Sequence, residues 1–270
     1  MIHLSHWDLG LSALLVLLLA FVSGRLQRQL RNQILVAALR TTVQLLLIGL
    51  VLKWLFDIAH PVFIGLISLV MLTVAGREVM VRQGRRLTGW WSFGVGTFSM
   101  FLSSFTVTLF ALWVIIGNQP WYAPQYAIPL LGMLLGNTMN GISIAMDRLT
   151  QSAWQQRQQI EGRLMLGASA TEAICDLKRE AARSGLIPII NAMAAAGLVS
   201  LPGMMTGQIL AGAEPVEAVK YQIMIMFLIS VGTGLGTLAS LALVSRRLFD
   251  ERHRLRLDRL QVDTGGRHAS

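Results

Sequence analysis

Apolar residues in this 270-residue chain occur in long runs, without the alternation of a half-buried strand or the 3.6-residue spacing of a soluble amphipathic helix. A helix needs about 20 mostly apolar residues to cross the hydrocarbon core of a bilayer. The pattern therefore predicts an all-α, polytopic transmembrane bundle of about seven spans. These lie at residues 7–24, 34–56, 61–76, 90–117, 123–146, 186–210 and 221–244, and the third run is the shortest.

The overall composition agrees with this interpretation, since 54% of the residues are hydrophobic and only 14% are charged. The first apolar run resembles the core of a signal peptide in length. However, no Lys or Arg precedes it, while Arg25, Arg28 and Arg31 follow it, which inverts the charge order of a signal peptide. We therefore interpret it as the first span.

The distribution of positive charge predicts the orientation of the chain. Lys and Arg concentrate in alternate loops, around residues 25–31, 77–86, 148–183 and beyond 246, whereas the loops between them have none. By the positive-inside rule the amino terminus lies outside and the carboxyl terminus in the cytoplasm. The net charge of +9 is thus assigned to orientation in a membrane with anionic lipid, and not to nucleic-acid binding.

One transmembrane domain is expected to cover residues 1–260, with a disordered tail at 261–270. The longest polar segment, residues 147–185, predicts two short amphipathic cytoplasmic helices broken near Gly167. A solvated loop with a lipid-facing stripe is the alternative for this segment. Residues 246–260 are expected to continue the last span as an arginine-rich helix.

Two polar residues interrupt the second span. Arg40 and Gln44 lie one helical turn apart and so share a face. An Arg within a span is costly, which favours a position facing the bundle interior or a hydrated cavity. We therefore expect the pair to line or brace the permeation path, with snorkelling of Arg40 to the cytoplasmic surface as the alternative.

The fifth and sixth predicted spans contain further candidates for the transport path. Asn137 and Asn140 interrupt the fifth run, and both runs are rich in methionine. Thioether sulfur is a soft ligand suited to ions such as copper(I), although methionine also fills gaps in helix packing. The weak metal candidates are Met133, Met139 and Met205, while Met204 joins the two asparagines as a candidate for the path.

Glycines four residues apart, such as Gly232 and Gly236, predict faces where helices approach closely. No nucleotide site is expected in this chain. Its three lysines, at 53, 178 and 220, do not follow glycine, so a phosphate-binding G-x-x-x-x-G-K-[ST] loop is absent. We therefore predict that the chain is not an enzyme, and that any ATP and magnesium are bound by a partner chain.

Two stretches of sequence resemble a known transporter family. The sequence E-G-R-L-M-L-G at 161–167, followed by Ala168 and Ser169, resembles the coupling loop of ATP-binding-cassette permeases, with Glu161 and Gly167 matching in spacing. The sequence G-L-V-S-L-P-G-M-M-T-G at 197–207, with residues 40–44 and 128–139, is similar to the FetB-type iron-export permeases. Plant aluminium-tolerance half-transporters share this family.

The resemblance implies a homodimeric permease in the bacterial inner membrane that binds two copies of a separate P-loop ATPase. It also implies export of iron, protection against oxidative stress, and docking of the ATPase at Glu161, Gly167, Ala168 and Ser169. The chain departs from the family pattern at Asn191 and Ala194, where relatives often carry Asp and Lys. Another metal or metal complex is therefore an alternative substrate, and a membrane scaffold is an alternative function.

Overall fold

The computed structural model describes residues 6–58, 60–117 and 119–262. Most of the expected disordered tail lies outside the described residues. Its first two residues, 261 and 262, do not fit that expectation because they belong to a strand. The chain forms two compact units, residues 1–60 and residues 61–270.

The first unit contains two long helices, α1 (His6–Leu26) and α2 (Arg28–Ile58). Gln27 alone separates them, and its amide still donates to the carbonyl of Ser23 at 2.9 Å. Both helices are apolar along most of their length and leave most of their side chains exposed, as expected of helices that meet lipid.

The second unit contains eight further α-helices and a small sheet, among the residues that the structure describes. One continuous helical segment combines two α-helices, Trp91–Met100 and Thr106–Phe110, with two π-helical segments, Phe101–Phe105 and Ala111–Ile116. The elements of the unit are α3 (Pro61–Val81), β1 (Arg85–Leu87), α4 (Trp91–Met100), α5 (Thr106–Phe110), α6 (Pro124–Gln155), α7 (Arg157–Met165), α8 (Ala170–Ala195), α9 (Gly203–Leu210), α10 (Pro215–Arg247) and β2 (Leu260–Val262).

In the described part of the chain, six helices are long and apolar enough to cross a membrane, and they match six of the seven predicted spans. The third reaches 21 residues and so has the length of a span. The six are Trp7–Arg25, Arg28–Phe56, Pro61–Val81, Trp91–Ile116, Pro124–Gln155 and Pro215–Arg247. The chain is a multi-pass membrane protein; the side of the membrane on which each terminus lies stays a prediction.

The predicted span at 186–210 is wrong as a single helix. Helix α8 ends at Ala195, the chain turns at Gly197 with φ +82°, and α9 begins only at Gly203. The amide of Gly197 donates to the carbonyl of Ser200 at 2.9 Å, which closes the turn. The run is apolar throughout, so hydropathy did not reveal this break.

Two further expectations also require correction. The segment 147–185 is not a pair of short helices, because α6 extends to Gln155 and α8 continues to Ala195, with only α7 short; the break at Gly167 is confirmed. Residues 248–262 do not continue the last helix. They fold back so that β2 pairs antiparallel with β1, with Leu260 opposite Leu87, which adds a two-stranded sheet to the predicted all-α fold.

Helix α6 lies at the centre of the second unit, packed against α3, α8 and α10. Helices α6 and α8 meet closely at Gly141 and Gly185, where a Cβ on Gly185 would lie 2.6 Å from the carbonyl oxygen of Gly141. Gly236 of α10 packs equally closely, with its missing Cβ 2.5 Å from Thr138 Cγ2. The prediction that Gly232 and Gly236 mark a packing face is therefore confirmed within the chain.

This crossing predicts a strong effect of one methyl group. Gly185→Ala is expected to lower the thermal stability of the detergent-purified protein, by about 1–3 kcal/mol, because the new Cβ overlaps a backbone atom that cannot rotate away. Gly234→Ala is the matched control, since a Cβ at this position on α10 meets nothing within 4 Å. Equal melting temperatures for the two variants would contradict the packing described.

Candidate coupling segment and substrate cavity

The junction between α7 and α8 presents two apolar side chains to the outside. Met165 at the end of α7 is 83% exposed and Leu166 after it is 90% exposed. Gly167 follows with φ +93°, a conformation that most L-residues adopt only with strain. Gly167 is therefore the residue that lets the chain reverse directly after this exposed pair.

A capping box holds the other side of the junction. Ser169 is the N-cap of α8, and its backbone amide and hydroxyl both donate to Glu172 Oε2 at 2.8 Å. The amide of Glu172 returns a hydrogen bond to Ser169 Oγ at 3.3 Å. The hydrogen bonds from the Ser169 amide, which has the larger effect, and from its hydroxyl both stabilise the ionised carboxylate. They hold the pKa of the Glu172 carboxyl below its usual value.

Contacts on the inner side brace α7 against the rest of the unit. Ile160 is buried in the main hydrophobic cluster. Arg163 Nη1 lies 2.9 Å from Asp176 Oδ2 of α8. Glu161 remains exposed on the same short helix. Glu161 thus lies on α7, and Gly167, Ala168 and Ser169 form the turn that follows it. Their role in docking an ATPase stays a prediction.

The polar pair of the second predicted span lies in the first unit. Arg40 and Gln44 are both on α2 and both exposed, one turn apart on a common face. Whether this face lines a permeation path stays a prediction.

The two asparagines of α6 have different environments. Asn137 is exposed and donates through Nδ2 to the carbonyl of Met133 at 2.9 Å, within its own helix. Asn140 accepts from Arg82 Nη1 at 2.7 Å, which ties α6 to the segment after α3. This contact of Arg82 could not be predicted from the sequence, because its partner is 58 residues away in the chain.

The methionines named from sequence do not gather at one place. Met133 and Met139 are half-buried on α6, and Met204 is partly exposed on α9. Met205 is buried and lines a cavity of about 520 Å³ between the end of α8, α9 and α10. Two other methionines line the same cavity, Met193 and Met226.

One polar group is buried in the wall of this cavity. Gln222 of α10 is only 8% exposed, and its Oε1 has no hydrogen-bond partner among the described residues. An unsatisfied buried carbonyl oxygen is costly unless a ligand or water completes it. The cavity therefore offers three thioethers and one amide oxygen in an otherwise apolar wall.

Carboxylate, imidazole and thiolate ligands are not grouped in the same way. Within residues 6–58, 60–117 and 119–262, no cluster of three or more His, Cys, Asp or Glu side chains is placed to hold a metal ion.

A sequence model of the uncharacterised protein family UPF0014 matches residues 6–249, which is most of the chain. The chain belongs to the UPF0014 family. Three relatives of this UPF0014 protein illustrate its range. A UPF0014 membrane protein of Synechocystis is 41% identical over 253 residues, which cover 92% of this chain and 94% of the relative.

The protein of Escherichia coli named "Probable iron export permease protein FetB" is 31% identical over 259 residues, covering 96% of this chain and 98% of the relative. "Protein ALUMINUM SENSITIVE 3" of Arabidopsis thaliana is 33% identical over 216 residues, or 80% of this chain and 77% of the relative. These matches confirm the resemblance found in the sequence. No solved structure matches the UPF0014 chain.

The capping box predicts a local effect on the junction. Ser169→Ala in the UPF0014 protein is expected to raise hydrogen exchange in the first turn of α8 about fivefold, because an N-cap contributes about 1 kcal/mol. Ser184→Ala is the matched control, since that hydroxyl only donates to a carbonyl of the same helix.

The same measurement tests the role of Glu172. Because its pKa is lowered in the folded protein, the contribution of the box is complete above the pKa of the unfolded carboxyl and is lost as pH falls through the folded value. The difference between wild type and Ser169→Ala should therefore shrink on acidification. A difference that does not change with pH would exclude the ionised form of Glu172 from the box.

Proposed function

We propose that this protein is the membrane permease subunit of an ATP-binding-cassette exporter, driven by a separate ATPase chain. The observation that carries the proposal is the exposed Met165–Leu166 pair on a braced turn, in a chain similar along 96% of its length to a protein named as an iron export permease. The bacterial cytoplasmic membrane is the proposed location.

The form of the junction supports docking to a protein. Burying a large apolar side chain is favourable by about 1.5–3 kcal/mol relative to leaving it in water. Insertion of the exposed pair into a groove of a partner protein would therefore stabilise the complex. The turn is already ordered by the Ser169–Glu172 box and by the Arg163–Asp176 ion pair, so docking costs little conformational entropy.

The alternative of a segment lying on lipid has less support. A membrane-surface helix needs an apolar stripe along its length. In α7 the exposed positions are polar, including Gln158, Gln159 and Glu161, while the apolar Ile160 points into the core. The large exposed apolar residues, Met165 and Leu166, occur only at its end. This arrangement favours their insertion into a pocket of a protein partner.

Iron is the proposed substrate, because the Escherichia coli relative is named "Probable iron export permease protein FetB". A softer metal, or a metal in complex, is a second candidate. The observation that favours it is the cavity lined by Met193, Met205 and Met226, since thioethers prefer soft ions such as copper(I). Gln222 Oε1 would then provide an oxygen donor in the wall of the cavity.

A homodimer is part of the proposal. Gly203 and Gly207 lie four residues apart on α9, and a Cβ at either position meets nothing within 4 Å in the described chain. Small residues at this spacing allow close contact between helices in lipid. A second copy of the chain would therefore have room to approach α9.

Binding of the ATPase is expected to depend on the exposed turn. Glu161→Lys and Leu166→Glu should insert into the membrane normally and lose the co-expressed ATPase in a pull-down, because each places a new charge in the proposed contact. Gln158→Glu is the matched control for Leu166→Glu, with the same charge change, and Gln158→Lys introduces the same side chain as Glu161→Lys; both alter an exposed position of α7 away from the Met165–Leu166 pair. Full retention of the ATPase by Leu166→Glu would refute docking at this turn.

The substrate is tested by ATP hydrolysis of the reconstituted complex over a panel of iron(II), copper(I), silver(I) and aluminium. Iron(II) stimulation that survives Met205→Leu supports iron export along another route. Stimulation by copper(I) and silver(I) that falls about tenfold or more in Met205→Leu and Met226→Leu supports the soft-metal candidate. Met133→Leu on α6 is the control, because this methionine lies outside the cavity lining. Failure of every ion to stimulate hydrolysis would refute metal export.

A further inference from the structure

Arginines gather around a cavity at the end of α10. The cavity has a volume of about 690 Å³, and two carboxylates and Trp91 also contribute to its wall. Its arginines are Arg246, Arg247, Arg252, Arg254 and Arg259. With Asp250 and Glu251 as the only acidic residues in the lining, five positive and two negative charges leave a net charge of +3.

The carboxylate of Asp250 is already engaged. Its Oδ2 lies 2.8 Å from Arg254 Nε, and its Oδ1 accepts from the amides of Arg252 and Arg254. Within the part of the chain that the structure describes, no ion pair engages Arg246 or the side chain of Arg252. The cavity thus retains positive charge for an anionic ligand.

The wall is fixed by contacts from several elements. The guanidinium of Arg247 stacks over the ring of Trp91, with its Cζ 4.3 Å from the ring centroid. Arg259 Nη1 donates to the carbonyl of Arg247 at 2.8 Å, and the carbonyl of Arg259 accepts from the amide of Thr88 at 2.8 Å. Strand β2 begins directly after Arg259 and pairs with β1. Hydrogen-bonded backbone therefore holds this wall of the cavity in place.

An apolar groove adjoins the basic cavity. It has a volume of about 300 Å³ and runs along α4 and α10. Two of its residues, Trp91 and Leu243, also line the basic cavity, so the two spaces lie side by side. The remaining lining residues are Trp90, Gly94, Val95 and Phe98.

We propose that the basic cavity and the apolar groove together form a binding site for an anionic phospholipid. The phosphate is held by the arginines, whose planar donors match its oxygen atoms. One acyl chain lies in the groove over Gly94 and Phe98, and Trp90 and Trp91 mark the level of the interface. A soluble phosphate compound would leave the groove empty, and a zwitterionic lipid would leave the net charge uncompensated.

The test is native mass spectrometry of the full-length protein in mild detergent, titrated with dioleoyl phosphatidylglycerol or dioleoyl phosphatidylcholine. Phosphatidylglycerol is expected to bind about tenfold more tightly than phosphatidylcholine. The double variant Arg246→Gln/Arg252→Gln should lose about tenfold in affinity for phosphatidylglycerol alone. Arg179→Gln/Arg183→Gln removes the same charge from exposed positions on α8 and should change it less than about twofold.

The groove is tested separately. A Cβ at Gly94 meets nothing within 4 Å, so a side chain can be added there. Gly94→Leu is expected to fill the groove with no loss of charge, and it should also weaken phosphatidylglycerol binding about tenfold. Gly10→Leu on α1, equally open, is its control.

Two results would overturn the proposal. The first is that glycerophosphoglycerol, which has the headgroup without acyl chains, binds as tightly as the lipid. This result would identify a site for a soluble anion. The second is unchanged phosphatidylglycerol affinity in either the arginine or the Gly94 variant. Because the two variants alter different elements, misfolding of one leaves the other to decide.

Discussion

The close approach of α6 and α8 at Gly141 and Gly185 is the contact on which the second unit depends. Helices in lipid gain little from the hydrophobic effect, so short distances and dispersion must hold them together. At this point a methyl group on Gly185 would overlap the backbone of α6, and one on Gly141 would overlap Thr233 of α10. The three longest helices of the unit are thereby fixed against one another, and their ends determine where the functional surfaces lie.

The turn between α7 and α8 takes its position from this crossing. Helix α6 has 32 residues and is therefore about 48 Å long, well beyond the hydrocarbon thickness of about 30 Å. Its last turns carry polar ties: Asp147 Oδ1 accepts from the amide of Gly84, and the hydroxyl of Thr150 donates to the carbonyl of Arg85, both at 2.8 Å. In the proposed exporter, a load on α7 would pass into α6 and α8 through rigid helix.

The arginines act at two levels. Along the sequence they alternate between loops and predict an orientation, an effect that depends only on where the charges fall between apolar runs. In three dimensions five of them surround one cavity, because the chain after α10 folds back and β2 pairs with β1. The paired residues, such as Leu87 and Leu260, are far apart in the sequence, so this gathering of charge belongs to the tertiary structure.

The sequence by itself determined the membrane class, six of the helices and the break at Gly167, because an apolar run and a glycine before an N-cap are local signals. It also identified the family through the coupling and glycine-rich stretches. Only the tertiary structure decided that residues 186–210 bend at Gly197, since apolar composition does not distinguish a span from a helical hairpin. It likewise decided that Met205 shares a cavity with Met193 and Met226, instead of with Met133 and Met139. Three-residue strands and cavities lined by several elements depend on contacts between distant segments, and no periodicity in the chain encodes them.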